Sequence, residues 1–389
     1  MFRRIKADIL FLSLFIALSA IFYNGFAEFN ELPKGIHSWK QSMHFSIIQN
    51  YANESTTFWH PAIHNLFNTN NSGNLILEFP IFHKLTADII KLFPSATPVL
   101  FRWIMFFLTI VGYYHAYKLG IIVLKDKLLA IFASLFSFVI PLVVFYGANY
   151  LVDVPAMALG FSAIYFFEKD QSKSTFRNIF IGMVFLTLSG LLRVTILVFP
   201  ISYIIASIIF RKKISYLLWI IPTVLIVFCW YYYVKKYNTY YVSFPPAETY
   251  THLSAEKISN TFDSIFRFMV YQFGFIYRYI IYYIAVLFLL IFYRKKLSRF
   301  WYIVLIINIL GSLIYVFLWF GIFEHHDYYF IPVIPLSFLI WINIFYAIPK
   351  PQFRKHIVIA AIILLSFNSI TVYANMRQRT YKKKIKITH

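Results

Sequence analysis

The N-terminal stretch MFRRIKADILFLSLFIALSAIFYNGF, residues 1–26, decides the fold class. Its mostly apolar run, from about residue 9 to residue 26, is longer than the 7–15 apolar residues of a secretory signal peptide. A run of this length approaches what a helix needs to cross a bilayer. The basic residues Arg3, Arg4 and Lys6 precede it, and basic residues collect on the cytoplasmic side of membrane proteins. We therefore predict a retained first transmembrane helix with a cytoplasmic N-terminus.

The composition extends this prediction to the whole chain. Of the 389 residues, 60% are hydrophobic and only 13% are charged, whereas soluble domains carry about 25% charged residues. This indicates a polytopic membrane protein. The formal net charge of +21 falls in short clusters between apolar runs, which suits contact with anionic lipid, so we expect a lipid bilayer and no nucleic acid as partner. The single cysteine, Cys229, excludes a disulfide framework within the chain.

The apolar runs predict an all-α polytopic membrane protein with about eleven transmembrane helices, in a domain that covers residues 1–375. The predicted spans are residues 9–29, 98–118, 128–148, 154–168, 178–192, 194–210, 214–234, 279–293, 300–322, 330–348 and 357–375. Two long loops, 30–97 and 235–278, fall on the outer side. Apolar residues recur at helical spacing in the first loop and predict amphipathic helices on the membrane surface. A basic tail follows at 376–389.

Charged residues divide between the two sides of this layout. The short cytoplasmic segments are basic, as in RKK at 211–213 and RKKLSR at 294–299, which is the positive-inside pattern. The basic tail is the exception, because an odd number of spans places it outside; a miscounted span is the alternative. Most acidic residues fall on the outer side or at its edge, namely Glu28, Glu31, Glu54, Glu78, Asp88, Asp153, Glu248, Glu256, Asp263, Glu324 and Asp327. Most histidines join them, namely His37, His44, His60, His64, His83, His252, His325 and His326. We expect chemistry on the face where these proton-transferring groups collect.

The stretch NLILEFPIFHKL, residues 74–85, places a carboxylate inside an apolar run. Glu78 could cap a surface helix that starts near Pro80 and interact with its N-terminal dipole. Alternatively, the apolar neighbours Leu77 and Phe79 desolvate the carboxylate and make it a stronger base. The sequence leaves both roles open.

Two further charges stand at the ends of predicted spans. Asp153, in GANYLVDVPAMAL, could be the N-cap of the fourth span, or it could hold a substrate hydroxyl or a metal. Arg193, in SGLLRVTILVFP, is placed at the outer interface. It could pair with a headgroup phosphate, or it could clamp a lipid-linked phosphate of a substrate.

The stretch EHHDYYFIPVIP, residues 324–335, opens the tenth span. Interfacial tyrosines such as Tyr328 and Tyr329 are common in aromatic belts. Two histidines beside an aspartate are a denser cluster that could bind a metal. However, His325 and His326 are adjacent and would point apart on a helix.

Four motifs occur in one order along the chain: GIHSWKQSMHFSIIQNY at 35–51, EFPIFHKLTADIIKLF at 78–93, Asp153 before Pro155, and HHDYYFIPVIP at 325–335. Together they resemble the bacterial branch of the GT-C glycosyltransferases of family 39 type. These are membrane enzymes similar to protein O-mannosyltransferases and aminoarabinose transferases. In that branch the first outer loop reads like H-S-W-R-Q-A-D-T, a later stretch like E-F-P-L-Y, and a late span opens like H-x-Y-Y-x-x-P.

The resemblance implies a GT-C-like bundle and a glycosyltransferase of the bacterial plasma membrane. The enzyme would move a sugar from a polyprenyl phosphate to an acceptor glycan, lipid or protein at the outer face, with inversion and a carboxylate as general base. The implied catalytic residues are Glu78, Asp153 and Glu31. The implied phosphate-binding residues are Lys40, Arg193, Lys84 and Arg102. The implied substrate-binding residues are His37, Trp39, Gln41, His326, Asp327 and Tyr328. No cofactor is required by the resemblance, and a divalent metal stays open.

Two departures from the family pattern leave other functions open. Lys40 stands where the pattern has arginine, so a bidentate grip on phosphate becomes a point charge. Met43 stands where the pattern has aspartate, and His44, one residue further on, could replace it only after rearrangement. An inactive partner subunit, a transporter or flippase of lipid-linked glycans, and a glycan polymerase or ligase are the alternatives. A transporter would bury paired charges at mid-span.

Overall fold

The computed structural model describes residues 2–54, 56–65, 73–93, 95–172, 175–241, 254–267, 291, 297–347 and 354–381. Within these ranges the chain is helical, and one isolated β-bridge pairs Ala62 with Asn74. The α-helices are α1 (Phe2–Phe22), α2 (Ser38–Asn53), α3 (Ile81–Leu92), α4 (Leu100–Leu124), α5 (Lys127–Phe138), α6 (Pro141–Gly147), α7 (Asp153–Ser172), α8 (Phe176–Leu192), α9 (Val198–Arg211), α10 (Ser215–Tyr241), α11 (Ala255–Arg267), α12 (Arg299–Leu318), α13 (Pro335–Ala347) and α14 (Arg354–Tyr381). The 3-10 helices are Ala27–Asn30, Val194–Leu197, Phe320–Glu324 and Asp327–Val333.

Six helical segments of the described chain are long and apolar enough to cross a membrane. They are Leu100–Leu124, Val194–Arg211, Ser215–Thr239, Arg299–Leu318, Asp327–Ala347 and Arg354–Arg377. The helices α5 and α6 form a seventh if they count as one span with a bend of 78°. The bend follows from Pro141, which lacks the N–H that a continuous helix would need and instead starts α6. The all-helical, multi-pass class is therefore confirmed.

The predicted count of eleven spans is not confirmed. Three of the predicted segments coincide with α1, α7 and α8, which are not among the six. The helix α8 has only 17 residues, and α7 carries Glu168, Lys169 and Asp170 in its last turns, which lowers its hydropathy. The predicted span at 279–293 lies outside the described residues, apart from residue 291.

Ion pairs mark one end of the bundle. The Arg354 Nε at the start of α14 lies 2.9 Å from an Asp126 carboxylate oxygen before α5. At the same end, Arg211 Nη2 donates to Glu168 Oε1 over 3.1 Å and joins α9 to α7. These residues belong to the segments that the positive-inside pattern predicts to be cytoplasmic.

The C-terminal helix runs the length of the bundle. It starts at the Arg354 end, and Met376 near its other end lines a small cavity with Glu28 and Lys34. At 1.5 Å per residue, a helix of 28 residues is about 42 Å long, which exceeds the thickness of a hydrocarbon core. The helix α14 therefore ends at the end of the bundle opposite to the Arg354–Asp126 pair.

The core of the bundle depends on close packing between α4 and α7. A side chain on Gly112 of α4 would collide with Ala158 of α7. Small residues at such a contact let two membrane helices approach closely without a hydrophobic driving force. This contact joins α4 closely to α7, the helix that begins with Asp153.

The first long loop contains two helices that are not spans. The helix α2 buries Ile48 and Tyr51 in the main core. The helix α3 buries His83, Thr86 and Ala87 on one face. Both lie at the end of the bundle where α1 ends and α7 starts, in the loop predicted to carry surface helices.

Labelling of single cysteines tests this layout. In a Cys229→Ser background, Glu54→Cys after α2 and Lys355→Cys in α14 should lie on opposite sides of the membrane. Both native side chains are exposed. We expect a membrane-impermeant maleimide to label position 54 in intact cells and position 355 only after permeabilisation, because positive loops face the cytoplasm. Equal labelling of both positions in intact cells contradicts the layout.

Candidate functional site

The segment that carries Glu78 is fixed by α10. Asn238 Nδ2 donates to the carbonyl of Ile76 over 2.8 Å, and Asn238 Oδ1 accepts from the Ile76 N–H over 3.1 Å. Phe79 packs edge-on against Trp230 with ring centroids 4.9 Å apart. These contacts hold the chain before α3 against α10, and they turn Glu78 inward until it is only 5% exposed.

Glu78 lies among cations on one side and an imidazole on the other. Its Oε1 is 3.2 Å from Lys40 Nζ and 3.9 Å from Arg193 Nη1. Its Oε2 is 3.3 Å from His44 Nε2, a close approach that is not aligned as a hydrogen bond. The helix α2 thus supplies two side chains, Lys40 and His44, one helical turn apart on the same face.

Arg193 joins two carboxylates from separate parts of the chain. Its Nε lies 3.1 Å from Asp153 Oδ1, and its Nη1 reaches Glu78 at 3.9 Å. The guanidinium carbon stands 4.7 Å from the ring centroid of Tyr329, within the range of a cation–π contact. Arg193 can occupy this position because α8 ends at the preceding residue and the backbone is extended here.

Neither buried carboxylate caps a helix. Asp153 is the first residue of α7, and neither of its oxygens accepts a hydrogen bond within the described structure. The N-cap of α3 is Pro80, and no described side chain caps it. Two carboxylates and two cations therefore form one mixed cluster, and we refer to Lys40, Glu78, Asp153 and Arg193 as the charge cluster. Such charges are tolerated in a protein interior only when they are paired.

Two histidines beside the charge cluster are kept neutral. Burial lowers the pKa of His44 well below its usual range, and the nearby Lys40 and Arg193 lower it further. Burial and the neighbouring His44 lower the pKa of His83 to about 3. Burial alone would lower the pKa of Lys40, but Glu78, Tyr328 and Asp153 outweigh it and raise the pKa above its usual value. The cluster therefore holds its positive charge on lysine and arginine, with neutral imidazoles beside them.

A second polar group lies next to the charge cluster. Asp327 is fully buried and accepts a hydrogen bond from Tyr146 Oη at 2.6 Å. The same carboxylate lies 3.2 Å from His37 Nε2. Tyr328 connects the two groups, because its ring meets His37 edge-on at 5.1 Å and has Lys40 Nζ at 4.5 Å from its centroid.

The second group opens towards the surface through aromatic rings. The ring of Trp39 is 6.0 Å from that of His326, and Trp39 is 52% exposed. Burial, together with the charges of His37 and Lys40, lowers the pKa of His326 to about 4. The predicted substrate-binding residues His37, Trp39, His326, Asp327 and Tyr328 thus lie together.

Two predicted site residues instead hold backbone in place. Arg102 donates from Nε to the carbonyl of Ala148 at 2.9 Å and from Nη1 to the carbonyl of Glu31 at 3.1 Å. Gln41 Nε2 donates to the carbonyl of Ile36 over 2.9 Å. The structure gives Arg102 and Gln41 these contacts in place of contacts with the charge cluster.

Two other predicted residues have local partners. Lys84 forms an ion pair with Asp88 one turn further along α3. Glu31 is about half exposed and lies 3.6 Å from Lys34 Nζ. The structure therefore does not bring the Lys84 ammonium or the Glu31 carboxylate to Glu78 and Asp153.

The dense motif at 324–327 does not assemble as a metal site. Glu324 forms an ion pair with Lys257 of α11. The rings of His325 and His326 are 6.5 Å apart with planes at 81°, so they diverge as expected for adjacent residues. Among the side chains that the structure describes, no three His, Cys, Asp or Glu groups are placed to bind one metal ion.

An apolar groove begins beside the charge cluster. It lies between α9 with its preceding 3-10 helix and α12, and its volume is about 480 Å³. Val194, which follows Arg193 directly, lines one end together with Tyr315. Tyr315 Oη donates to the carbonyl of Tyr329, whose ring faces Arg193. From Val194 to Ile205 the groove wall extends over about 16 Å of helix.

Comparison of the chain with protein-family models, with curated proteins and with solved structures gives no match. The arrangement combines two buried carboxylates, two cations that are complementary to a phosphate, and an apolar groove that starts at one of those cations.

Some contributors to the site carry no distinctive signal in the sequence. His83 follows the predicted carboxylate by five positions, but nothing in the sequence shows that it meets His44. Asn238 contacts Ile76 across 162 positions of the chain. Its only sequence signal is a polar residue near the end of a mostly apolar helix.

Removal of the Arg193 charge should destabilise the protein strongly. Arg193→Gln leaves the Asp153 carboxylate buried without its cation, which costs about 3–5 kcal/mol. The Arg193→Gln/Asp153→Asn double variant should lose less than the sum of the two single variants, because the pair is then removed as a unit. Equilibrium unfolding in mixed detergent micelles measures both effects.

The matched control is Arg354→Gln, which removes an exposed pair with Asp126. Exposed ion pairs contribute about 1 kcal/mol or less. If Arg193→Gln is no more destabilising than Arg354→Gln, the buried pairing of Arg193 with Asp153 is wrong.

Stability should also fall in mild acid because of the buried histidines. Below the ordinary histidine pKa of about 6.5, the denatured chain binds protons that folded His44 and His83 do not bind. Each neutral histidine therefore lowers the free energy of unfolding by up to about 1.4 kcal/mol per pH unit as the pH falls below that value. For His83 this decrease continues until the pH approaches the pKa of the folded state. The loss of stability between about pH 7 and pH 5 should shrink in His83→Asn. His64→Asn, which changes an exposed histidine, should leave it unaltered; an equal shift in both variants contradicts the assignment.

Proposed function

We propose that the protein is a membrane glycosyltransferase of GT-C type that uses a polyprenyl-phosphate sugar as donor. The observation that supports this most is the position of Arg193. This guanidinium contacts two buried carboxylates and directly precedes the wall of an apolar groove. A lipid-linked phosphate requires the same combination: a cation for its head and an apolar surface for its tail.

The donor would bind with its phosphate at Arg193 and Lys40. A guanidinium has five N–H donors, more than its contacts with Asp153 and Glu78 require, so donors remain for phosphate oxygens. Lys40 adds a second positive charge from α2. The polyprenyl chain would follow the groove between α9 and α12, where it replaces membrane lipid.

We assign the general base to Glu78 and the orientation of Arg193 to Asp153. Asp153 stands at the N-terminal end of α7, and its near contact is the Arg193 Nε. This suits a carboxylate that holds a cation in place. Glu78 instead lies farther from Arg193, at 3.9 Å, and its Oε2 faces the neutral imidazole of His44, so we assign proton acceptance to this carboxylate.

The reaction would be a single displacement. Glu78 takes the proton from an acceptor hydroxyl, and the hydroxyl oxygen forms a bond to the anomeric carbon. The bond between that carbon and the phosphate oxygen breaks on the opposite face, which inverts the configuration. Arg193 and Lys40 stabilise the charge on the departing polyprenyl phosphate. The acceptor would enter from the side of Trp39 and His326, and a glycan, a lipid or a protein hydroxyl would all suit this chemistry.

The proposed reaction takes place at the outer face of the bacterial plasma membrane, at the end of the bundle opposite to the basic segments. The alternative of a transporter or flippase predicts paired charges at mid-span. In the described part of the chain Arg193–Asp153 and Arg211–Glu168 lie near helix ends, whereas the Lys118–Asp8 pair lies more than one turn inside α4 and α1. Met43 stands where the family pattern has an aspartate, but Glu78 and Asp153 still supply carboxylates to the site.

Substitution of the two carboxylates should affect different kinetic parameters. Glu78→Gln removes the base and should lower kcat by about 10²–10⁴-fold. Asp153→Asn should chiefly raise KM for the donor, because Arg193 loses its orientation. The assay supplies purified protein with a panel of polyprenyl-phosphate sugars and measures transfer or hydrolysis.

Glu31→Gln serves as the control, since Glu31 is a predicted catalytic carboxylate that the structure places elsewhere. It should keep near-normal kcat and KM. Full activity in both Glu78→Gln and Asp153→Asn contradicts the assignment of the site. Absence of turnover for every donor in the panel, in protein that is folded, contradicts the proposed function.

A further inference from the structure

Two buried histidines stand behind Glu78 and take no part in the displacement described above. His44 Nδ1 and His83 Nε2 are 2.8 Å apart, and their ring planes differ by 15°. The two rings come from α2 and α3, so the contact joins both helices of the first loop. Both side chains are almost completely buried.

The number of N–H hydrogens on these two rings limits how the rings can be hydrogen-bonded. Both imidazoles are neutral, as their depressed pKa values indicate, and each therefore carries one N–H. A contact of 2.8 Å between two ring nitrogens requires that one donates and the other accepts. The groups that face His44 are His83, Glu78, Lys40 and Arg193.

The neighbouring carboxylate selects one of the two arrangements. His44 Nε2 lies 3.3 Å from Glu78 Oε2. An ionised carboxylate is only an acceptor, so this approach is attractive only if His44 carries its hydrogen on Nε2. His44 Nδ1 must then accept, and His83 must donate from Nε2.

The surroundings of the other His83 nitrogen, Nδ1, also favour a hydrogen on Nε2. Its Nδ1 is buried without a hydrogen-bond partner in the described structure, and its ring lies 4.7 Å from that of Phe101. With the hydrogen on Nε2, the unpartnered Nδ1 is an acceptor. Buried acceptors without partners are more readily tolerated than buried N–H donors without partners.

We propose that His83 is a positioning residue that acts on Glu78 through His44. Its Nε2–H fixes His44 as the tautomer that presents Nε2–H to Glu78 Oε2. The carboxylate is thereby held with one oxygen against His44 and the other beside Lys40, in the position from which it would accept the acceptor proton. The role in catalysis rests on the proposed function, but the tautomers do not.

Nitrogen NMR of the full-length protein in nanodiscs tests the tautomers directly. With nitrogen-labelled histidine at neutral pH, His44 and His83 should both show a protonated Nε2 and an unprotonated Nδ1. His44→Asn and His83→Asn assign the signals among the histidines. In His83→Leu, His44 Nδ1 loses the hydrogen bond that it accepts, so its nitrogen shift should change and a fraction of the Nδ1–H tautomer should appear beside the native one. A protonated Nδ1 on His44, or an imidazolium on either residue, in the native protein overturns the proposal.

Kinetics of two variants then separate positioning from packing. Gln at position 83 can still donate to His44 Nδ1, whereas Leu of similar size cannot. We expect His83→Leu to lower kcat by about 10–100-fold with KM for the donor unchanged, and His83→Gln to keep most of kcat. Equal kcat in the two variants overturns the positioning role. Because the NMR signals do not depend on turnover, an inactive protein with the expected tautomers contradicts the transferase proposal and leaves the histidine pair standing.

Discussion

The contact of Arg193 with two buried carboxylates is the interaction on which the described site depends. Glu78 comes from the first long loop, Asp153 from the start of α7, and Arg193 from the end of α8. A charge removed from water is tolerated only with a partner, so none of these segments can take its place alone. Their pairing explains why an irregular loop before α3 is drawn inward against α10 and not left on the surface.

The same guanidinium connects a polar interior to an apolar exterior. On one side it faces carboxylates, and on the other it precedes the groove between α9 and α12. A soluble phosphate would need only the first of these features, and a hydrocarbon would need only the second. Their proximity is what the proposed function uses: a ligand with a charged head and a long apolar tail would need both features side by side. At the opposite end the Arg354–Asp126 pair lines a smaller groove of about 350 Å³, but Arg354 is half exposed there, whereas the side chain of Arg193 is largely buried.

The membrane class and part of the site could be predicted from the sequence, because a charge that interrupts an apolar run needs a partner. Asp153 and Arg193 are both charges that interrupt apolar runs, and the structure pairs them. Arg102 is such a charge as well, but its guanidinium binds backbone carbonyls. Composition cannot distinguish a carboxylate partner from a carbonyl partner. The contacts of His83 and Asn238 could not be predicted either, since each depends on how a loop packs against a distant helix. The number of spans is not confirmed for a related reason: short or bent helices such as α8 and the α5–α6 pair satisfy an apolar pattern without the length that a straight crossing needs.

The most direct test of the central claim is an experimental map of the purified protein in nanodiscs with a polyprenyl phosphate added. The pairing described above predicts that the Arg193 guanidinium contacts the Asp153 carboxylate, that Lys40 contacts Glu78, and that density for the phosphate lies at Arg193 with the tail in the groove between α9 and α12. A map in which Glu78 and Asp153 lie on separate surfaces of the bundle, or in which the lipid phosphate binds away from Arg193, contradicts it.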